Sequence, residues 1–188
     1  VRSRRQRQMC IRDSFSTRQA HYLCEQALAL SAQGDLPGAQ ALLDQAVAAA
    51  PEAARARIEL ARLQRLMGQP AAVLSTLKAL GDRNPAALPL AAPLMVEAAT
   101  AIGRTQEVHA LLQAHYAQAP SLDVLESIVA MEAADEATRP SARQRYVEHL
   151  DKERSLVAAA KWLATEKLEH EEFHPQVQRA LDLSLIHI

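Results

Sequence analysis

The sequence predicts an all-α protein, an α-solenoid in which pairs of helices repeat along the chain. Hydrophobic residues make up 49% of the 188 residues but aromatic residues only 3%, and much of the apolar content is alanine and leucine, which favour helices over strands. Two sets of residues that end helices recur at intervals of 34 and 35: Gly34, Gly68 and Gly103, and Pro51, Pro85 and Pro120. Two terminating signals therefore share one period.

Each repeating unit is predicted to be a helix, a short turn, a second helix and another turn. The glycine lies between two apolar-periodic stretches, where it can adopt the left-handed conformation that ends a helix. The proline marks the point where the second helix must stop. Small or aliphatic residues recur at helical spacing and are the predicted packing faces: Ala39, Leu43 and Ala46, then Val73, Leu77 and Leu80, then Val108 and Leu112.

The units are predicted at about 20–53, 54–87 and 88–121, followed by two irregular helix pairs at 122–152 and 153–182. In the third unit Pro93 falls within the expected first helix, so this helix is predicted to begin near Pro93 with the proline in its first turn. After Pro120 the terminating signals fade, but four further segments still have the pattern of helices.

A period of 34 with these terminators resembles the tetratricopeptide repeat. Eight residues of the first unit fall on signature positions of that repeat: Leu23, Ala27, Leu30, Gly34, Ala39, Leu43, Ala46 and Pro51. In the second unit Arg57 and Gln64 occupy positions where the pattern has aromatic residues, so those positions are degenerate.

Both termini look foreign to the fold. Residues 1–14 and 183–188 contain the strings "RRQRQMCIRDS" and "LSLIHI", which resemble a translated sequencing adapter. The first segment holds five arginines and one aspartate, so the remainder has 16 basic and 21 acidic residues, a net charge of −5. Such a body disfavours nucleic acid and anionic lipid as partners. It also retains only Cys24, which excludes an intrachain disulfide within it, and no apolar run approaches the length of a membrane-spanning helix.

The string "AHYLCEQA", Ala20 to Ala27, and the repeat pattern from Arg18 to about Asp182 resemble the later repeats of the lipopolysaccharide assembly protein B family, also called YciM. The resemblance implies a cytoplasmic, non-enzymatic adaptor that brings the deacetylase LpxC to the membrane protease FtsH. It also implies an N-terminal helix in the bacterial inner membrane and a C-terminal module of four cysteines holding iron or zinc. Neither is found in this sequence, so we interpret the chain as a fragment with no cofactor of its own.

In repeat arrays the first helix of each pair lines a concave surface. The residues mapped to it are His21, Cys24, Leu28, Arg55, Ile58, Arg62, Arg65, Leu90, Glu97 and Thr100. The three arginines predict a ladder that accepts an acidic peptide or a C-terminal carboxylate, unless they pair with Glu59 and neighbouring repeats as ordinary surface charges.

Three other readings predict chemistry. "HEEFH", His170 to His174, matches a zinc-protease pattern, but Pro175 disfavours a helical His174, which favours a polar helix end. Cys24 beside His21 is a possible nucleophile pair, although a buried apolar role is more common. Trp162, with Lys161 and Lys167, could stack a ligand, but a lone tryptophan in this apolar stretch favours a core role. An unrelated bacterial repeat scaffold, and an oligomer of this chain, remain open.

Overall fold

The structure, a computed structural model, describes residues 4–134, with side chains from residue 15, and residues 137–138, 141–142, 144–146, 148–149 and 157. This part of the chain forms helices and turns without a strand. The helices are α1 (Arg4–Ala32), α2 (Leu36–Ala49), α3 (Ala54–Leu66), α4 (Pro70–Arg83), α5 (Leu88–Ala101), α6 (Thr105–Gln118) and α7 (Leu122–Ala134), and a 3-10 turn covers Pro85–Ala87. The predicted all-α class is confirmed.

The chain divides into two compact units between Gln118 and Ala119. In the first unit, helices that follow one another in the chain pack together from α1 to α6, and α3 also contacts both α1 and α5. Helix pairs therefore stack in chain order with their first helices side by side, which is the arrangement of an α-solenoid.

The three repeated glycines end the first helices as predicted. Their φ angles are +87° at Gly34, +69° at Gly68 and +69° at Gly103. In each turn, the N–H of the residue after the glycine donates to the carbonyl five residues earlier: Asp35 to Leu30 at 3.0 Å, Gln69 to Gln64 at 2.9 Å and Arg104 to Ala99 at 2.8 Å. This bond is the signature of the Schellman helix end.

Gly68→Ala is expected to lower the free energy of unfolding by about 1 kcal/mol, because an L side chain at this φ is strained. An added Cβ would meet no atom within 4 Å, so the loss is conformational and not steric. Urea denaturation followed by circular dichroism measures it. Gly68→Asn is the matched control, since asparagine tolerates this conformation better and should lose less. Equal losses of unfolding free energy for the two variants would contradict the left-handed conformation assigned to Gly68.

The second helices end before the repeated prolines. Ala50 and Asn84, the residues before Pro51 and Pro85, have nearly the same backbone angles, φ −137° and ψ 79° against φ −138° and ψ 76°. A proline disfavours the helical region for the residue before it, so both helices stop at the same place in the repeat.

The degenerate positions of the second unit are filled by polar side chains that are buried and hydrogen-bonded. Arg57 donates to the carbonyl of Pro51 from Nε at 3.3 Å and from Nη2 at 3.2 Å. The Gln64 Oε1 accepts from Thr76 Oγ1 at 2.9 Å. Each side chain thus forms a hydrogen bond to a neighbouring segment, as buried polar groups generally do.

All eight predicted packing residues are buried, each at most 2% exposed. The core combines aliphatic side chains with alanines that lie at 0% exposure, among them Ala39, Ala61 and Ala92. Alanine at these positions lets helix backbones approach closely, so the scarcity of aromatic residues follows from the packing mode.

The prediction that α5 begins near Pro93 is wrong. The helix begins at Leu88, with Pro89 in its first turn and Pro93 inside it. Leu88, Ala91 and Ala92 are at most 3% exposed, so burial of this first turn against the preceding helix outweighs the backbone bond that Pro93 cannot make.

In the second unit, α7 buries Val124, Leu125 and Ile128 completely. The buried Glu132 carboxylate accepts from Arg145 Nε at 2.8 Å through each oxygen. A buried acid held in this way by an arginine forms a strong, charge-assisted bond within the unit.

Among the described residues, no helix is long and apolar enough to cross a membrane.

Candidate protein-interaction surface

The solvent-facing stripes of the three first helices form one candidate surface, which we call the first-helix face. It comprises His21, Glu25 and Leu28 of α1, Arg55, Ile58, Glu59, Arg62, Arg65 and Leu66 of α3, and Leu90, Glu97 and Thr100 of α5. Residues three, four or seven apart lie on one side of a helix, so each set shares a stripe. Because α3 contacts both α1 and α5, the three stripes lie side by side.

Most of the predicted residues are accessible on this face. His21, Leu28, Arg62, Arg65, Leu90, Glu97 and Thr100 are exposed, and Arg55 and Ile58 are half-buried. Cys24 differs, because its side chain is only 1% exposed and packs in the core beside Ala20 and Ala27. Its inclusion among the face residues is therefore wrong. Cys24 lies three residues after His21, at the edge of the α1 stripe, where neighbouring positions of the helix change from solvent-exposed to buried.

Arg55 joins the first two repeats across the face. Its Nη1 lies 3.0 Å from His21 Nδ1, and its Nη2 donates to the Glu25 carboxylate. This hydrogen bond, which Arg55 donates to the Glu25 carboxylate, raises the pKa of Arg55 above its usual value. Because an arginine side chain can only donate, His21 Nδ1 is the acceptor of the first of these bonds.

The other two arginines also have acidic partners on the face. Arg62 Nη1 donates to Glu59 Oε1 at 2.9 Å within α3. Arg65 Nη1 reaches Glu97 Oε1 of α5 at 3.4 Å, which joins the second and third repeats. All three arginines are thus paired in the structure, and the face carries a compensated set of charges.

Glu25 and Leu66 are face residues that the sequence did not predict, whereas Glu59 was predicted as a partner of the arginines and does pair with Arg62. The signals were present, since Glu25 lies four residues after His21, Glu59 three before Arg62, and Leu66 four after Arg62. Fixed positions of the repeat do not include these residues, which belong to the stripes only by helical spacing.

Cys24 lacks the features of a catalytic nucleophile. Burial is the main influence on its pKa and raises it from the ordinary value, although the charge of Arg55 acts in the opposite direction. A reactive cysteine needs access and a lowered pKa, so the arrangement favours a small core residue.

In a Cys10→Ser background, the Cys24 thiol is expected to react with Ellman's reagent at least about tenfold more slowly in the native protein than in urea, because burial disfavours the thiolate. Absorbance at 412 nm at pH 8 measures both rates. The same variant unfolded in urea supplies the control for an accessible thiol. Equal native and unfolded rates would return Cys24 to the set of candidate nucleophiles.

The described residues hold no group of three metal-ligating side chains. The predicted zinc pattern at His170 to His174, and Trp162, lie outside the residues that the structure describes.

Comparison with known proteins identifies the repeat type. Residues 30–98 match the family described as "Tetratricopeptide repeat". The solved structure titled "Crystal structure of MamA" is similar over 85% of this chain and 92% of that chain, with a TM-score of 0.52 and 15% sequence identity. A search of curated proteins finds no match. Repeats of this type indicate a protein-interaction scaffold, and the fold is generally non-enzymatic. The first unit is thus an α-solenoid of tetratricopeptide-type helix pairs.

Proposed function

We propose that this chain is a non-enzymatic scaffold that binds other proteins through the first-helix face. The observation that carries the proposal is the continuity of this face: Arg55 ties α3 to α1 and Arg65 ties α3 to α5, while adjacent side chains remain accessible. Three helices held in register present one broad surface, and a partner that binds it need not order the helices first.

We propose further that the scaffold belongs to an adaptor that regulates lipid A synthesis by presenting the deacetylase LpxC to the protease FtsH. The support is the resemblance of Ala20 to Ala27, and of the pattern from Arg18 to about Asp182, to the lipopolysaccharide assembly protein B family. In this proposal the whole protein is held at the inner membrane facing the cytoplasm, and a separate four-cysteine module supplies the iron or zinc site.

Binding of immobilised chain to purified LpxC and to the cytoplasmic part of FtsH tests both levels. We expect saturable binding of at least one partner by biolayer interferometry. Reversing Arg62 and Arg65 to glutamate should weaken it at least about tenfold, because the reversal leaves four unpaired carboxylates on the face, and any bound segment, charged or neutral, would have to desolvate them.

The control variant Lys78→Glu/Arg83→Glu makes the same change in net charge on α4, a second helix, and also breaks two ion pairs, so it should bind like the wild type. Helical content by circular dichroism should be unchanged in both variants. Failure of LpxC and FtsH to bind would remove the adaptor role. Equal binding by the face variant and the wild type would remove the first-helix face as the binding surface.

A further inference from the structure

Resting on the proposed function, we infer that the first-helix face recognises a partner segment of low net charge that presents leucine-sized apolar side chains. The juxtaposition that carries the inference is one exposed leucine on each first helix, set among arginines that are already paired. Leu28, Leu66 and Leu90 are those leucines.

The positions of these leucines are specific to the face. Among the described residues, they are the exposed leucines, at 40%, 64% and 67% exposure. Each lies on a first helix, α1, α3 or α5, and none lies on a second helix. Single exposed leucines are ordinary on protein surfaces, but three that share one side of a stacked array define an apolar component of that side.

Each leucine lies on the same side of its helix as a residue that forms an ion pair or a contact between repeats. Leu28 lies seven residues after His21 and three after Glu25. Leu90 lies seven residues before Glu97, on the same side of α5. The apolar side chains and the inter-repeat contacts therefore belong to one surface, and a segment crossing the three helices meets both.

Leu66 lies four residues after Arg62 on α3, between the stripes of the other two leucines. A bound segment that reaches from α1 to α5 must pass this central helix, which contacts both. Leu66 is also more exposed than Leu28, the leucine of the first repeat.

The charges on the face disfavour a strongly acidic ligand. Arg55 is paired with Glu25, Arg62 with Glu59 and Arg65 with Glu97. An acidic segment would have to displace these glutamates or meet their repulsion. A neutral segment leaves every pair in place and gains by covering the leucines, since apolar burial adds affinity that salt does not screen.

A displayed library of random 16-residue peptides, selected on the immobilised full chain, tests the inference. Enriched peptides are synthesised and their Kd measured by fluorescence anisotropy at 50 and 500 mM NaCl. We expect peptides with a net charge near zero and several leucine-type residues. Their Kd should change less than about threefold between the two salt concentrations, because uncharged contacts are not screened.

Substitutions on and away from the first-helix face test where the selected peptides bind. Leu66→Asp/Leu90→Asp should weaken these peptides at least about tenfold, since aspartate leaves a desolvated charge in the contact. Arg62→Gln should change the Kd less than about threefold, because its charge is not needed. Val157→Asp is the matched control: Val157 is 59% exposed, like Leu66, but lies in the second compact unit, and it should leave the Kd unchanged.

Enrichment of acidic peptides whose binding is lost in high salt and on Arg62→Gln would overturn the inference in favour of the arginine ladder. Enrichment of no peptide that depends on Leu66 and Leu90 would also overturn it. Neither result bears on whether LpxC or FtsH binds, and a failure of those proteins to bind leaves the peptide result standing. The two proposals therefore fail separately.

Discussion

Leu77→Ala is expected to lower the free energy of unfolding by about 2–5 kcal/mol, because deleting a buried leucine loses apolar transfer energy and leaves a cavity. Leu77 is 0% exposed and lies in α4, which packs against both α3 and α5. The loss therefore weakens the second repeat and its interface with the third. In a solenoid such interfaces carry much of the cooperativity. Urea denaturation followed at 222 nm measures the effect.

Leu66→Ala is the matched control, since Leu66 is 64% exposed and its truncation should change the free energy of unfolding by less than about 0.5 kcal/mol. The two substitutions are also expected to differ in their effects on stability and on peptide binding. Leu66→Ala should weaken peptide binding while the fold keeps its stability. A loss of less than about 1 kcal/mol for Leu77→Ala would contradict the packing described for α4.

The repeat was predictable because its terminators are local. A glycine at a left-handed turn and a proline after a helix act through the backbone of their own segment, so Gly34, Gly68 and Gly103 could be assigned without tertiary information. The packing residues followed from the same period, since Leu43 and Leu77 occupy one position of the repeat. Local rules and the global arrangement agree here, as is typical of foldable sequences.

The pairing across repeats was not predictable in the same way. Their positions in the repeat predict that Arg55 and Arg65 lie on the shared face. A position in the repeat does not determine which neighbouring helix a long side chain reaches. Arg55 turns to α1 and Arg65 to α5. The choice depends on where each acid lies on the adjacent helix, and that distance appears only when the helices are stacked.

These pairings alter the functional interpretation of the arginines. Surface ion pairs contribute little to stability one by one, so most of the stability of the stacked helices comes from the buried aliphatic residues and not from the three pairs. Their effect on recognition is larger, because they set the charge that an incoming segment meets. This is why the leucines, and not the arginines, are the stronger determinants of the inferred ligand.

The error at α5 shows where a local rule yields to packing. Pro93 lies inside the helix and has no N–H for the carbonyl of Pro89. The residues around it, Ala91, Ala92 and Met95, are at most 1% exposed. Starting the helix at Pro93 would have left Leu88 and Ala91 outside the seam, and the apolar area lost would cost more than one backbone bond.

Pro93→Ala is therefore expected to raise the free energy of unfolding by about 1–3 kcal/mol, because the substitution restores a backbone hydrogen bond and removes a ring that crowds the preceding turn. Pro93 is exposed, so the smaller side chain opens no cavity in the core. The measurement is the midpoint and slope of urea denaturation relative to the wild type. Pro89→Ala is the control, since Pro89 lies in the first turn, where no helical bond is missing, and it should give little change. A loss of stability on Pro93→Ala would mean that the proline is required to hold the first turn of α5 against α4.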